Sequence, residues 1–398
     1  MLKSVQLQEF RSCHDVSIDN VGPLTVLIGR NGAGKSNILR GIEWAARTIA
    51  SVSQVDDEPY GRMNGQISIV FELAQTELKY DLKLKTAYNF KLAEPKRESE
   101  YIEALYKKND GEWQSIISRD GEKIELVSQN RKIEVSNRIS AIKAVQSLLP
   151  EDDLTRQLLD RIVAFFDSIQ YYPLKTDDGS PGLAIIRAET YQQWLHGNVK
   201  ASDSSQLLHL KILDLHLTDK NRFEELISLA GGDGLGLIQR IGVTEFEIPF
   251  QIDSQEGNKD TARADKVYFI RFAPEGHSKD AMFSFEDLSF GTRRVLHFLV
   301  SLLYDSASVA LVEQLEDGIH QGLLNKLISL IRSYAEDSQF ILASHSEAVF
   351  DALQPREIRI IELINGQTNA RELSAQEIGA AKTYLEADGS LSEFLQSI

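Results

Sequence analysis

Leu24-Thr25-Val26-Leu27-Ile28 reads as a compact apolar strand, and it runs straight into Gly29-Arg30-Asn31-Gly32-Ala33-Gly34-Lys35-Ser36. Beyond Asn37, apolar residues recur at Ile38, Leu39, Ile42 and Ala45-Ala46, a helical spacing. The octapeptide between them fits the phosphate-binding pattern G-x-x-x-x-G-K-S, in the strand-to-helix context that the pattern requires. Its glycines let the backbone curl until successive N–H groups point at one anion. The helix start adds the positive end of its dipole. Lys35 is placed to reach the β- and γ-phosphates, and the Ser36 hydroxyl to ligate Mg²⁺. Chance alone gives such an octapeptide in about one chain per hundred. Nucleotide binding through Asn31, Gly32, Ala33, Gly34, Lys35, Ser36 and Asn37 is the expectation.

Outward from this loop the sequence alternates between sheet and helix. Val5 to Phe10 and Val16 to Asp19 have strand alternation, and Gln66 to Leu73 with Leu78 to Leu84 reads as a hairpin. From about residue 95 to 240 the pattern turns helical and charged, most clearly at Ser136–Leu149, Leu154–Ser168, Ser205–Leu215 and Arg222–Leu229. Sustained heptads are missing there, which argues against a long coiled-coil arm. Gly231-Gly232-Asp233-Gly234 closes the region as a loop.

Strands return at Glu245–Ile252, Lys266–Phe272 and Ala281–Phe285. The order then becomes helix (Gly291–Tyr304), strand (Val309–Glu313), helix (His320–Tyr334), strand (Gln339–Ala343). That alternation implies a largely parallel sheet covered on its faces. A hairpin around Asn365-Gly366 and a helical tail complete the chain. The expected class is α/β, with a mostly parallel sheet, N-terminal antiparallel strands and an inserted helical lid. The expected segments are 1–94, 95–240 for the lid, and 241–398, with the two sheet-forming ends meeting in space.

The 398 residues suggest two or three folding units. With 42% hydrophobic and 26% charged residues the chain has an ordinary globular composition, not a disordered one. Its N-terminus lacks an apolar signal core, and no stretch approaches the 18 or so apolar residues of a membrane helix. Together with a single cysteine, Cys13, this points to a reducing cytoplasm and no membrane. The 43 Lys and Arg against 59 Asp and Glu give a net charge of −16, too acidic to coat nucleic acid through the bulk field. Between Lys79 and Lys143, however, 14 basic residues outnumber 11 acidic ones. A local nucleic-acid contact there stays open beside the plainer reading of a solvated surface.

Three further stretches bear on chemistry. Leu288-Ser289-Phe290-Gly291-Thr292-Arg293-Arg294 opens a helix, where Ser289 offers a hydroxyl and Gly291 a backbone N–H to an anion. The apolar strand Val309–Val312 ends in Glu313-Gln314-Leu315-Glu316-Asp317, putting a carboxylate where it can hold Mg²⁺. A third strand, Phe340–Ala343, ends in Ser344-His345-Ser346, and His345 is placed to hydrogen-bond a γ-phosphate.

In this order the segments resemble the ABC-type ATPase head of the SMC and RecF kind. Phe10-Arg11-Ser12 and Asn31 are similar to that group as well. The resemblance implies ATP and Mg²⁺, with Arg11 and Ser12 added to the ATP site and Ser36 and Glu313 on the metal. It makes Ser289 and Gly291 the signature motif that contacts ATP on the opposite subunit, places Glu316-Asp317 in the D-loop, and makes His345 the switch histidine. It also implies paired heads, a homodimer or higher homo-oligomer, with ATP sandwiched between them.

Within the group, Leu-Ser-Phe-Gly-Thr-Arg-Arg and Glu-Asp-Gly-Ile-His look most like single-head ATPases of anti-phage systems, relatives of OLD nucleases and Septu-type ATPase subunits. About 50 residues follow His345, too few for the Toprim nuclease of OLD proteins. A zinc or HNH pattern is missing too, so a separate nuclease or toxin effector is expected. One position departs from the family: Gln314 occupies the place of the catalytic Glu, beside Glu313. An amide cannot take the proton of an attacking water. The chain therefore reads as a slow ATPase, natural or altered to hold ATP. The family's Q-loop glutamine has only Gln170 as a candidate. The leading expectation is an ATP-driven sensor or switch of a defence complex. Its rivals are a RecF-like clamp on duplex DNA and a non-hydrolysing scaffold that holds a toxin.

Overall fold

The computed structural model describes residues 1–50, 64–89, 96–135, 139–174, 185–197, 204–250, 263–278, 280–387 and 389–397. They form two compact units: Met1–Pro173 with Ala307–Glu316 and Ile328–Ile398, and Leu174–Ser306 with Asp317–Leu327. Strands along the chain are β1 (Leu2–Phe10), β2 (Cys13–Ile18), β3 (Leu24–Ile28), β4 (Gly65–Leu73), β5 (Thr76–Asn89), β6 (Lys96–Asn109), β7 (Glu112–Asp120), β8 (Lys123–Leu126), β9 (Arg131–Glu134) and β10 (Ile169–Tyr172). They continue as β11 (Ile185–Arg187), β12 (Ile238–Phe250), β13 (Arg263–Pro274), β14 (Val309–Glu313), β15 (Gln339–Ser344), β16 (Ile358–Ile364) and β17 (Gln367–Glu372).

In the first unit, β10-β14-β15-β3-β16-β17 form one sheet in that order. Every neighbouring pair is parallel except the β16–β17 hairpin. Strands β3, β14 and β15 are buried at every residue, which is why they read as continuous apolar runs rather than alternations. The two ends of the chain do meet, since β3 lies between β15 and β16.

The unit's second sheet is antiparallel, in the order β2-β1-β4-β5-β6-β7-β8-β9. The helix Lys35–Ala50 buries Ile38, Leu39, Ile42, Trp44, Ala45, Ala46 and Ile49, and Trp44 stacks on Phe10 of β1 with ring centroids 5.6 Å apart. Gln339, at the head of β15, joins the sheets. Its Oε1 accepts from the Leu2 N–H at 2.8 Å, and its Nε2 donates to the carbonyls of Leu2, Val21 and Gly22.

The segment Lys96–Glu134 corrects the sequence expectation of helix: it is four strands, β6 to β9. Its inward face carries Glu103 and Leu105 on β6, Ile117 and Arg119 on β7, and Ile124 and Leu126 on β8. Arg119 and Glu103 are buried and paired at 2.9 Å. Tyr80 donates to Glu103 Oε2, the Ala141 N–H donates to the same carboxylate, and Arg119 donates to the carbonyls of Gly121 and Ile139. Full hydrogen bonding is what lets such a charge pair persist in a core. Because these strands belong to the first unit, the division comes at Pro173 rather than near residue 94. Helices do follow, at Ala141–Leu148 and Leu154–Asp167. The first residues of the expected Ser136–Leu149 helix lie outside the described residues.

The second unit holds the sheet β11-β13-β12. Helices Ala188–Leu195, Ser204–Thr218, Lys220–Ala230 and Phe290–Asp305 belong to it. The strand expected at Ala281–Phe285 is reduced to one bridge, Phe272 to Phe283. A capping box between Ser284 and Asp287 turns the chain into a short 3₁₀ turn at that point.

Candidate functional site

The carboxyl ends of β3, β14 and β15 carry a pocket of about 290 Å³ in the first unit. Asn31, Gly32, Gly34, Lys35, Ser36 and Asn37 line it from the phosphate-loop side, and Glu313, Gln314, Ala343 and His345 from the strand ends. This is where a parallel α/β sheet presents ligand sites. Ala33 is the one expected loop residue that faces away, buried.

Lys35 is buried, and its Nζ donates to the carbonyls of Gly29 at 2.6 Å and Arg30 at 3.0 Å. Burial holds its ammonium below the ordinary value, opposed by the charges of Glu316 and then Glu313. A pocket walled by such a cation and by the N-terminus of a helix attracts an anion. The Ser36 hydroxyl and the Glu313 carboxylate both line it as hard oxygen donors, a set that fits Mg²⁺.

Arg11 and Ser12 reach the loop from the turn between β1 and β2. Arg11 has a left-handed backbone (φ 56°), and its Nη1 donates to Asn37 Oδ1 at 3.2 Å. Asn37 Nδ2 in turn donates to Ser12 Oγ at 2.8 Å. Both residues therefore brace the helix start, and neither is among those lining the pocket.

Sequence reasoning missed Thr368 of β17. Its buried hydroxyl shares a hydrogen bond with Ser12 Oγ at 2.7 Å and donates to the Ala33 carbonyl at 2.9 Å. A Cβ on Gly34, whose φ is +106°, would collide with that hydroxyl, so the tight fit requires glycine there. Tyr171 of β10 was also unforeseen. Its hydroxyl accepts from Arg40 Nε at 3.4 Å and lies against Glu313; burial first, and then that carboxylate, push it up. Both contacts arise from the tertiary fold, so no local pattern announces them.

Gln314 is exposed and left-handed (φ 50°), and its N–H donates to the Ala343 carbonyl at 3.0 Å. Glu316, placed in the D-loop by resemblance, turns inward. Its Oε1 accepts from Ser344 Oγ at 2.7 Å and from the His345 N–H at 3.1 Å. Gln170 does not line the pocket; its side chain donates to the Asp167 carbonyl at 3.2 Å.

In the second unit, Ser289 caps the helix Phe290–Asp305, accepting from the Thr292 N–H at 3.2 Å. Ser289 and Phe290 are exposed, whereas Gly291 is buried so closely on the Gly318 carbonyl that no side chain fits. Arg294 behind them pairs with Asp317 at 3.7 Å. The arrangement presents a capped helix start to an outside surface.

Two family models match the chain. One described as "AAA ATPase domain" covers residues 1–155, and one described as "AAA domain, putative AbiEii toxin, Type IV TA system" covers residues 168–351. Over 87 residues the chain is 37% identical to the DNA replication and repair protein RecF of Cyanothece sp., covering 21% of this chain and 23% of that protein. Over 43 residues it is 49% identical to the OLD nuclease of Thermus scotoductus, covering 11% and 8%. The chain thus spans less than a quarter of the length of these relatives. The solved SMC head domain from Thermotoga maritima aligns over 94% of this chain and 99% of that one, with 12% identity and a TM-score of 0.42.

Proposed function

Because the chain is an ATPase head of the SMC and RecF kind, related to OLD-type proteins, we propose that it is an ATP-driven switch of an anti-phage defence complex. The observation that carries the nucleotide site is the polar pocket in which Lys35, Ser36, Glu313, Gln314 and His345 converge. The loop N–H groups and Lys35 bind the phosphates, and His345 faces the γ-phosphate end of the site. Ser36 and Glu313 would hold Mg²⁺, which neutralises charge on the β- and γ-phosphates when bound.

Two heads pair on ATP, with the exposed Ser289 and the N–H of Gly291 reaching the nucleotide of the other. Hydrolysis is slow because Gln314 orients a water without accepting its proton. The paired, ATP-bound form engages an effector, a nuclease or toxin, in the cytoplasm. Likeness to OLD nuclease and to the AbiEii-type model supports the defence role. Among the described residues no helix is long and apolar enough to cross a membrane.

The test is phosphate release and sedimentation with ATP, ADP and no nucleotide, on the parent and Lys35→Ala. Pairing with ATP alone, lost in Lys35→Ala, is the expected result. Identity to RecF favours one second reading, an ATP-dependent clamp on duplex DNA. Duplex binding that requires ATP and weakens steeply with salt would select it.

A further inference from the structure

At position 314 an attacking water would meet an amide, which is no base. The same strand end holds a carboxylate that the reading above leaves without a role. Glu316 is 8% exposed. Beyond its contacts from Ser344 Oγ and the His345 N–H, its Oε1 lies 3.4 Å from His345 Nδ1. Its Oε2 is buried and meets no donor. The Ser344 hydroxyl is fixed in turn, accepting from the Ser346 N–H at 3.1 Å. His345 is 35% exposed at its side chain and lines the phosphate pocket with Gln314.

A neutral amide or hydroxyl would tie down the end of β15 without burying a charge. What a carboxylate adds is negative charge beside an imidazole. Two anchors, the Ser344 hydroxyl and the His345 N–H, fix that charge on the Nδ1 side of the ring.

We infer that Glu316 is a positioning residue for ATP hydrolysis, holding His345 with Nδ1–H toward its carboxylate and Nε2 toward the pocket. The inference rests on the ATPase reading above. In that tautomer Nε2 keeps a lone pair and accepts a proton. A water O–H gives its proton to Nε2 while its oxygen bonds the γ-phosphorus. The bond from the γ-phosphorus to the β–γ bridging oxygen breaks, and that oxygen leaves on ADP with the electron pair. The Glu316 carboxylate stabilises the imidazolium that forms, the task of the buried carboxylate in a hydrolytic triad. Turnover in a chain with Gln at 314 therefore runs through His345.

The experiment measures single-turnover phosphate release at saturating ATP and Mg²⁺, and affinity with a fluorescent ATP analogue. The proteins are the parent, Glu316→Gln, His345→Ala, their double variant, and Glu316→Gln combined with Gln314→Glu. A Gln carbonyl still accepts from Ser344 and the His345 N–H, so the fold holds, as thermal melting will verify. Glu316→Gln should slow release about 10²-fold with affinity changed less than about twofold. His345→Ala should slow it at least as much, and the double variant no further, because residues acting as one unit are not additive. Adding Gln314→Glu should restore turnover to Glu316→Gln. Equal rates for parent and Glu316→Gln, or effects of the two single variants that multiply, overturn the inference. A parent that binds the analogue without releasing phosphate overturns it too but leaves nucleotide binding intact. A parent that binds no analogue overturns the ATPase reading itself.

Discussion

The hydroxyl of Thr368 donates to the carbonyl oxygen of Ala33 at 2.9 Å, across 335 positions of sequence. With Ser12 on its other side, it clamps the phosphate loop between the first turn of the chain and its last strand. The loop's curvature is thus held from outside as well as by its own glycines.

Thr368→Val keeps the shape and removes the hydroxyl, leaving the Ala33 carbonyl and Ser12 Oγ short of a partner. The loss of one or two buried hydrogen bonds, about 1–3 kcal/mol, should weaken ATP binding about 5- to 160-fold when the whole cost falls on the loop. Thr368→Ser should stay near the parent. Calorimetric titration with Mg-ATP checks both, and a Val variant that binds as tightly as the parent would show that the clamp is idle.

Exposed at its helix cap, Ser289 is the contact expected to complete the nucleotide of a second copy. Ser289→Arg should therefore abolish pairing with ATP while leaving nucleotide affinity of the single chain within about threefold, the scale of surface substitutions. Sedimentation velocity with ATP and with ADP separates the two effects. Undiminished pairing in the variant would remove Ser289 from the interface.

Gln314→Glu places a carboxylate beside the pocket. Turnover should rise by up to about 10²- to 10⁴-fold, the usual contribution of a general base, and the long-lived ATP-bound state should shorten accordingly. Steady-state phosphate release on both proteins is the measurement. An unchanged rate would mean that residue 314 does not meet the attacking water.

Cys13 is fully buried, and burial pushes its thiol up to about 11 against weaker opposing hydrogen bonds from Thr368 and Ser12. The fold thus favours the neutral thiol. Its contribution to stability is intact below the ordinary value of 9.0 and is lost as pH climbs from there toward 11. At pH 8 iodoacetamide should leave the folded protein unmodified and label it readily in urea, as intact mass will reveal. Rapid labelling without urea would contradict the burial.

The phosphate loop was legible because its chemistry is local: strand, glycines, lysine and helix follow one another without interruption. The parallel strands were legible for a related reason, since burial on both faces leaves an apolar run such as Val309–Val312. Lys96–Glu134 was not. A buried Glu103 and Arg119 occupy inward positions of β6 and β7, so the alternation that marks a half-buried strand is broken by charge where apolar residues belong. Only the fold brings that pair together, 16 positions apart on neighbouring strands. Thr368 and the inward turn of Glu316 escaped for the same reason, as their partners lie far along the chain.

Strand β3 sits between β15 and β16, both of which follow it by more than 300 residues. During synthesis its five residues, four of them apolar, leave the ribosome with neither edge paired. At 5–20 residues per second, the partner strand β15 begins to emerge only about 15 to 60 s later. For that interval a strand bound for the centre of the sheet is open on both sides, the condition in which strands pair with the wrong chain. Folding yield in the cell should therefore depend on something that shields Leu24–Ile28, a chaperone or the early antiparallel sheet. The core strand of the finished protein is the hazard of the unfinished one.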